Sequence, residues 1–234
     1  MNQEQMVWDL PVRVFHWLLA ASFALAYFIA DSERWRNLHV ALGYTVLGLI
    51  AFRLLWGCVG THYARFTSFR YRPAEAITYL KEIATGRARR YTGHNPAGSW
   101  AVYAILALGI GTGVSGYLTF NEIGGDVSEE VHEFLANAWL FVVMLHVAGV
   151  IVSSLAHREN LGRAMVTGYK LGAGQRPAAG PGVSAVGVAV AAAVLGFWGW
   201  TMLAGGGAIA SAGSAEGDHD GEPLLVGSQE IDDD

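Results

Sequence analysis

The sequence has one cysteine and little charge, and each scarcity excludes a class of protein. Cys58 alone cannot form an internal disulfide, a Cys-x-x-Cys zinc or redox site, or the Cys-x-x-Cys-His attachment of a covalent heme. Charged residues make up 15% of the 234 residues, whereas soluble domains carry about 25%. No P-loop, HExxH zinc motif, catalytic triad or nucleic-acid-binding module is present, so nucleic acid is not expected as a partner.

Long apolar segments take the place of charge. Hydrophobic residues make up 53% of the chain, and five segments approach the ~20 residues that cross a bilayer. They cover about residues 11–30, 38–57, 98–120, 132–156 and 183–204. The start, Met-Asn-Gln-Glu-Gln, lacks the features of a signal peptide, so we expect the first span to be retained. A soluble helical core is the alternative, but such uncharged runs are rare there; we expect an all-α membrane protein.

Lysine and arginine are distributed unevenly between the connecting loops. Eight lie between residues 53 and 90 and four between 158 and 176, whereas the acidic 121–131 loop has none. Because positively charged loops remain in the cytoplasm, this pattern predicts a cytoplasmic N-terminus and a C-terminal tail on the opposite side of the membrane. We therefore expect a multi-pass membrane protein, with membrane lipid as a partner.

Four histidines lie within the apolar segments, where an imidazole is costly and marks function by default. His132 and His146 are fourteen residues apart, so they face within roughly 40° of each other at depths about 21 Å apart on one helix. We expect Asp9 to cap the start of the first span and Ser128 that of the fourth. Helix direction then places His39 near the outer surface with His132. It places His16 nearer the cytoplasmic side with His146.

Two histidine pairs matched in depth are typical of two hemes stacked across a bilayer. Each pair can bind one iron from opposite sides, which is the bis-imidazole ligation of a low-spin electron-transfer heme. We expect two b-type hemes, one held by His39 and His132 and one by His16 and His146. A single histidine of this kind would be better explained by a hydrogen-bonded core position.

Small residues near the histidines predict where a flat macrocycle could rest. Gly43 lies one helical turn after His39, and Gly109, Gly113 and Gly116 share one face of the third span. Small residues at this spacing also serve helix–helix contact, so both interpretations stay open.

Arginines at the span ends are candidates for binding the heme propionates, because a guanidinium matches a carboxylate in geometry and charge. Arg13 and Arg53 lie at cytoplasmic ends, whereas Arg34 and Arg36 lie at the outer end near His39. Ordinary topology signals and snorkelling explain the same arginines.

Two further histidines lie at the cytoplasmic boundary. His94 precedes Asn95-Pro96, which reads as a helix start, and we expect it to be a surface or quinone-site residue rather than an iron ligand. His157 lies eleven residues after His146 and could accompany a quinone proton. Between the second and third spans, residues 73–85 predict an interfacial helix that ends at Gly86.

Composition divides the chain into four parts. Residues 1–170 are expected to form the four-helix cytochrome bundle, 171–182 a cytoplasmic linker rich in Gly, Ala and Pro, and 183–204 an additional transmembrane helix. Residues 205–234 are expected to form a disordered acidic tail.

The segments around the four histidines resemble a known family. They read Arg13-Val-Phe-His16-Trp17, Leu38-His39-Val-Ala-Leu-Gly43-Tyr44, Gly93-His94-Asn95-Pro96, His132-Glu-Phe-Leu-Ala-Asn137 and Leu145-His146-Val. Over about residues 7–170 the chain resembles bacterial cytochrome b561 and the b-type cytochrome subunit of nickel–iron hydrogenases. The resemblance implies a four-helix bundle with two b hemes, ligated by the same four histidines, that exchanges electrons with quinone. The fifth span and acidic tail depart from the family core.

Three functions follow from these expectations. The first is electron transfer between the quinone pool and a periplasmic partner, such as a cytochrome c, a dehydrogenase or a hydrogenase subunit. The second is a stand-alone superoxide:quinone oxidoreductase, which would make the protein an enzyme. The third is a heme carrier or membrane scaffold without a redox role.

Overall fold

Seven helices and one small β-ribbon make up the part of the chain that the structure describes, residues 3–172 and 180–215. The structure is a computed structural model. The helices are α1 (Leu10–Phe28), α2 (Arg36–Val59), α3 (Pro73–Ala84), α4 (Pro96–Phe120), α5 (Asp126–His157), α6 (Leu161–Thr167) and α7 (Pro181–Ala215). The strands are β1 (Gln3–Met6) and β2 (Tyr169–Gly172), and single 3-10 turns cover Glu33–Trp35 and Phe66–Phe69.

Five of these helices are long and apolar enough to cross a membrane, which confirms the predicted all-α membrane fold. They are α1, α2, α4, α5 and α7, and they match the five apolar segments in order. The chain divides into two compact units, Met1–Leu195 and Gly196–Asp234. In the second unit the described residues continue α7, where the rings of Phe197 and Trp200 lie 6.3 Å apart.

Local capping residues define where the spans begin. Asp9 accepts a hydrogen bond from the backbone N–H of Val12, and Asn95 accepts one from Gly98, which confirms both predicted caps. The predicted cap at Ser128 is wrong. The helix begins earlier, at Asp126, because Gly124 and Gly125 turn the chain with positive φ angles of 94° and 55°.

The bundle core lies where α1, α2, α4 and α5 meet. Its buried side chains are Phe15, Leu19, Phe23, Val46, Leu49, Ile50, Leu106 and Trp139. Gly109 of α4 allows this packing, since an added Cβ would lie 2.5 Å from Ile50 and 2.9 Å from Trp139. At this glycine, helix–helix contact is therefore the correct interpretation.

An antiparallel ribbon that the sequence did not predict ties the N-terminus to the segment after α6. Gln3 pairs with Gly172 and Met6 with Tyr169. Next to the ribbon, the backbone N–H groups of Val7 and Trp8 both donate to the carbonyl of Gly168, at 2.8 and 3.1 Å. Gly168 has φ of 89°, and a Cβ there would lie 2.7 Å from the Trp8 carbonyl oxygen, so this turn requires glycine.

The interfacial helix is present as α3. It begins at Pro73 and is followed by Gly86, whose φ of 69° allows its N–H to reach the carbonyl of Ile83. Ile77 and Leu80 are exposed on one side, as expected for a helix that lies on lipid.

The C-terminal helix is longer than the sequence predicted. The fifth span was expected at 183–204, but α7 runs from Pro181 to Ala215 because the segment stays rich in alanine and free of charge until Glu216. Residues 205–215 of the predicted disordered tail are therefore helical. Residues 173–179 of the predicted linker and 216–234 of the tail lie outside the described residues.

Candidate cofactor site

The structure brings His39 and His132 together at the outer end of the bundle. His39 lies in the first turn of α2 and His132 in the second turn of α5, with ring centres 6.2 Å apart and ring planes at 80°. A metal–imidazole bond is about 2 Å, and each ring centre lies roughly 1 Å behind its nitrogen, so two imidazoles on one metal have centres about 6 Å apart. The spacing of this outer pair fits one shared iron.

Hydrogen bonds that Nδ1 donates orient both imidazoles. Nδ1 of His39 lies 3.0 Å from the carbonyl oxygen of Ala26, and Nδ1 of His132 lies 2.9 Å from that of Thr112. A carbonyl can only accept, so each Nδ1 carries the proton and donates it. Each Nε2 is then left with a free lone pair, the form in which histidine binds a metal. Ser115 adds a contact of 3.2 Å to Nδ1 of His132.

A cavity of about 410 Å³ surrounds the outer pair, within the range of cofactor-binding pockets. It is lined by all four helices of the bundle, and among its residues are Phe23, Tyr27, Tyr44, Leu47, Ala136 and Asn137. Gly43 lies at its wall with no atom within 4 Å of the space that a Cβ would occupy. Gly113 and Gly116 also line the cavity but are closely packed like Gly109, since an added Cβ would meet Leu47 at Gly113 and would lie 2.8 Å from His132 at Gly116. Of these glycines, only Gly43 leaves an open face.

The rim of this cavity is acidic. Asp31, Glu129 and Glu133 line it, and no lysine or arginine does. Arg36 is exposed at the first residue of α2 and is absent from the lining, and Arg34 stacks over the ring of Trp35 at 5.3 Å. The structure therefore does not bring Arg36 to the outer pair.

His16 and His146 form a second pair nearer the cytoplasmic end. The two imidazoles, from α1 and α5, interact electrostatically. Nδ1 of His16 is buried and forms no hydrogen bond among the described residues, and its ring lies edge-on to Trp17 with ring centres 5.0 Å apart. Of the two histidines of α5, His132 lies against His39, and the pairing of His146 with His16 stays a prediction.

Two arginines at this end of the bundle each have a buried nitrogen without a partner among the described residues. Arg53 of α2 is only 3% exposed, and its Nη1 has no hydrogen-bond partner among the described residues. Its charge lies 4.8 Å from the ring of Phe66. Arg13 of α1 donates from Nη1 to the carbonyl of Val166 at 2.6 Å, but its Nε is buried without a partner. Orphaned donors on two arginines fit a site that receives an anion.

His94 is half-buried just before α4 begins. Its ring packs between Trp8 and Phe69, with ring centres 4.7 and 4.3 Å away, and its Nδ1 is buried without a partner among the described residues. Burial lowers the pKa of His94 to about 3, and the nearby charges of Arg53 and Lys170 lower it in the same direction. The imidazole is therefore neutral at physiological pH. The ring is not freely solvated, and its role at a quinone site stays a prediction.

Asp9 has a larger role than the cap that the sequence indicated. Its carboxylate is 2% exposed, and besides Val12 it accepts hydrogen bonds from Trp56 Nε1 at 3.0 Å and Thr61 Oγ1 at 2.7 Å. These bonds join the start of α1 to the end of α2 beside Arg53. The pairing could not be found from the sequence, because the partners are 47 and 52 residues away.

His157 ends α5 and contacts the interfacial helix. Its Nε2 lies 3.3 Å from the hydroxyl of Tyr79, and its carbonyl accepts a hydrogen bond of 2.7 Å from Arg90. These contacts attach α3 and the loop after it to α5. They give His157 a structural role.

A membrane bundle of four helices with paired inward-facing histidines defines a class, the b-type cytochromes that carry electrons in membranes. Comparison with known families agrees. Residues 7–168 match the family model of prokaryotic cytochrome b561. The chain belongs to the prokaryotic cytochrome b561 family and is a multi-pass membrane cytochrome of the b type.

Curated relatives carry one shared description. The chain is 25% identical to a "Probable Ni/Fe-hydrogenase B-type cytochrome subunit" of Azotobacter vinelandii, over 73% of this chain and 90% of that protein. It is also 25% identical to the protein of the same description in Cupriavidus necator, over 70% of this chain and 86% of that protein. No solved structure gives a significant match.

Proposed function

We propose that this protein is a di-heme cytochrome b that transfers electrons across the bacterial inner membrane. His39 and His132 bind the outer heme, and His16 and His146 bind the inner one. The observation that carries this proposal is the outer pair, in which two imidazoles at one-metal spacing both keep Nε2 free. Two histidines with only a structural role would not require both this ring spacing and an unbonded Nε2 on each ring.

The chemistry of the bound groups is simple. Heme b supplies an iron that accepts and releases one electron. Two histidines per iron would give a low-spin electron-transfer heme, and with both positions occupied oxygen binding would be disfavoured. The helices also exclude water, because the side chains of the bundle core are aromatic and aliphatic.

We assign the remaining cofactor contacts by burial. Gly43 provides the face on which the outer macrocycle rests, and Arg13 and Arg53 bind propionates at the inner heme. Arg36 can bind a propionate of the outer heme only if its side chain moves, because it is exposed and does not line the cavity.

Quinone and a periplasmic redox protein are the proposed electron donor and acceptor, in either order. The relatives' shared description supports a hydrogenase subunit as that partner, ahead of a cytochrome c or another dehydrogenase. The acidic cavity rim disfavours the superoxide:quinone alternative, since Asp31, Glu129 and Glu133 repel a superoxide anion from the outer heme.

The absorption spectrum of the purified protein, oxidised and reduced, tests this proposal together with the heme:protein ratio. We expect two b-type hemes per chain, both reduced by quinol or by the partner. A colourless protein from cells with ample heme would refute it. Rapid reduction by superoxide without any partner would favour the enzyme instead.

A further inference from the structure

His94 lies beside the inner histidine pair but belongs to neither pair. Its ring centre lies 4.3 Å from that of Phe69, which lies 5.8 Å from that of Phe66, and the guanidinium of Arg53 lies 4.8 Å from the Phe66 ring. His94 therefore shares one side-chain cluster with the buried guanidinium, and the charge of His146 also acts on it. The Asn95 cap fixes the backbone next to it, and Trp8 and Phe69 hold the ring from two other segments. The imidazole is thus kept in one place by the fold.

The polar edge of this ring lacks a partner. Nδ1 of His94 and Nη1 of Arg53 are both buried without a hydrogen bond among the described residues. Buried polar nitrogens are nearly always bonded, so each orphan requires an explanation. A metal ion cannot be the shared partner, since Arg53 is a cation whose nitrogens can only donate.

Arg53 can only donate, so its missing partner must be an acceptor, and the neutral imidazole of His94 can share that acceptor when Nδ1 carries its proton. An anion fits best. Arg53 is a permanent cation, and its nearest carboxylate, Asp9, already accepts hydrogen bonds from Val12, Trp56 and Thr61. A second carboxylate can take one hydrogen bond from Arg53 and another from His94. A neutral quinone carbonyl would satisfy the imidazole but leave the buried charge unbalanced.

We infer that His94 donates a hydrogen bond from Nδ1 to a propionate of the inner heme and shares that carboxylate with Arg53. The inference rests on the proposed function, because it needs a heme between His16 and His146. It gives His94 a binding role toward the cofactor, separate from iron ligation. It also explains why a polar ring lies among aromatic side chains at this point of the fold.

The variant His94→Phe tests the inference in the purified holoprotein. Phenylalanine keeps the aromatic packing against Trp8 and Phe69 but cannot donate. We expect both hemes to remain, with the midpoint potential of one heme lowered, because a less neutralised propionate favours the ferric iron. The propionate bending band of that heme should also move in the resonance Raman spectrum.

His62→Phe is the matched control. His62 is an exposed histidine of the same cytoplasmic loop, with its ring edge-on to Tyr63. We expect this variant to leave both potentials and the Raman band unchanged. His94→Gln, which retains a donor, should keep the potential closer to that of the unmodified protein than His94→Phe does.

Several outcomes would overturn the inference. If His94→Phe retains two hemes with unchanged potentials and an unchanged band, His94 does not contact the propionate, although the two-heme proposal stands. A protein that lacks the inner heme before any substitution refutes the proposed function instead. Should His94→Phe fail to fold, His94→Leu and His94→Gln are compared instead: a lower midpoint potential in His94→Leu than in His94→Gln supports the bond, and equal potentials refute it.

Discussion

The imidazoles of the two histidine pairs differ in how the ring nitrogen away from the proposed iron is held. In the outer pair both Nδ1 atoms donate to backbone carbonyls, whereas Nδ1 of His16 has no partner among the described residues. A hydrogen bond from Nδ1 raises the basicity of Nε2 and favours the ferric iron. Carbonyl groups of α1 and α4 therefore fix the tautomer and orientation of His39 and His132. The ring of His16 is not fixed by a bond from Nδ1 among the described residues.

The substitution His146→Ala should remove one heme and leave the other. The outer pair lies about four helical turns away along α5, so His39 and His132 can still bind their iron. We expect the heme:protein ratio to fall from two to one. His157→Ala is the control, as it removes a histidine from the same helix that contacts Tyr79 instead. An unchanged ratio in His146→Ala would reject the inner pair.

Gly43→Leu should exclude the outer heme, since the new side chain would enter the cavity beside His39. Gly48→Leu is the matched control because Gly48 lies on the same helix, also has open space around it, and does not line the cavity. Both changes favour the helix equally. We expect Gly43→Leu alone to halve the heme content, and equal heme in the two variants would contradict the assignment of this cavity.

At the scale of elements, contacts between distant segments of the chain hold together the end of the molecule where α1 begins and α5 ends. The ribbon of β1 and β2 ties the N-terminus to the end of α6, and Asp9 joins α1 to the end of α2. α3 is attached to α5 through Tyr79 and His157. At this end of the bundle, which is nearer His16 and His146, the elements therefore hold one another, whereas short turns join the helices at the end nearer His39 and His132.

Gly168→Ala should destabilise this end. Its positive φ is unfavourable for alanine and the Trp8 carbonyl is close, so we expect a loss of about 1–3 kcal/mol in the free energy of unfolding. Gly162→Ala, in α6, has room for a Cβ and should be neutral or slightly stabilising. Denaturant unfolding in detergent measures both. Equal stability of the two variants would show that the turn tolerates a side chain.

At the scale of the whole molecule, charge is divided between the two ends. Arginines and lysines gather in the loops around α3 and α6, and carboxylates line the cavity rim at the opposite end. This asymmetry predicts the orientation in the membrane and attracts a positively charged partner surface toward the outer heme.

Cysteine labelling in intact cells tests the orientation. In a Cys58→Ser background, a membrane-impermeant thiol reagent should label Ile123→Cys, in the acidic loop, and spare Arg87→Cys, after α3. The background is needed because Cys58 is exposed. Permeabilised cells should label both positions, which shows that both thiols can react. The reverse pattern in intact cells would invert the topology.

Local patterns allowed the spans to be predicted, while contacts between distant segments could not be. Apolar runs and the caps at Asp9 and Asn95 depend on neighbouring residues, so both were found. The β1–β2 pairing joins short strands more than 160 residues apart and leaves no periodic signal. Helical geometry brought His39 and His132 to one depth, but the burial of Arg53 and His94 depends on side chains from several elements.

The bond between Nδ1 of His39 and the carbonyl of Ala26 has a consequence for biogenesis. Because that carbonyl lies in the last turn of α1, the first two spans must insert and pair as a hairpin before His39 presents the correct nitrogen. We therefore expect His39 and His132 to bind heme late in biogenesis, after α5 has been synthesised and inserted. Truncated chains that end before residue 126 should accumulate in the bilayer without pigment.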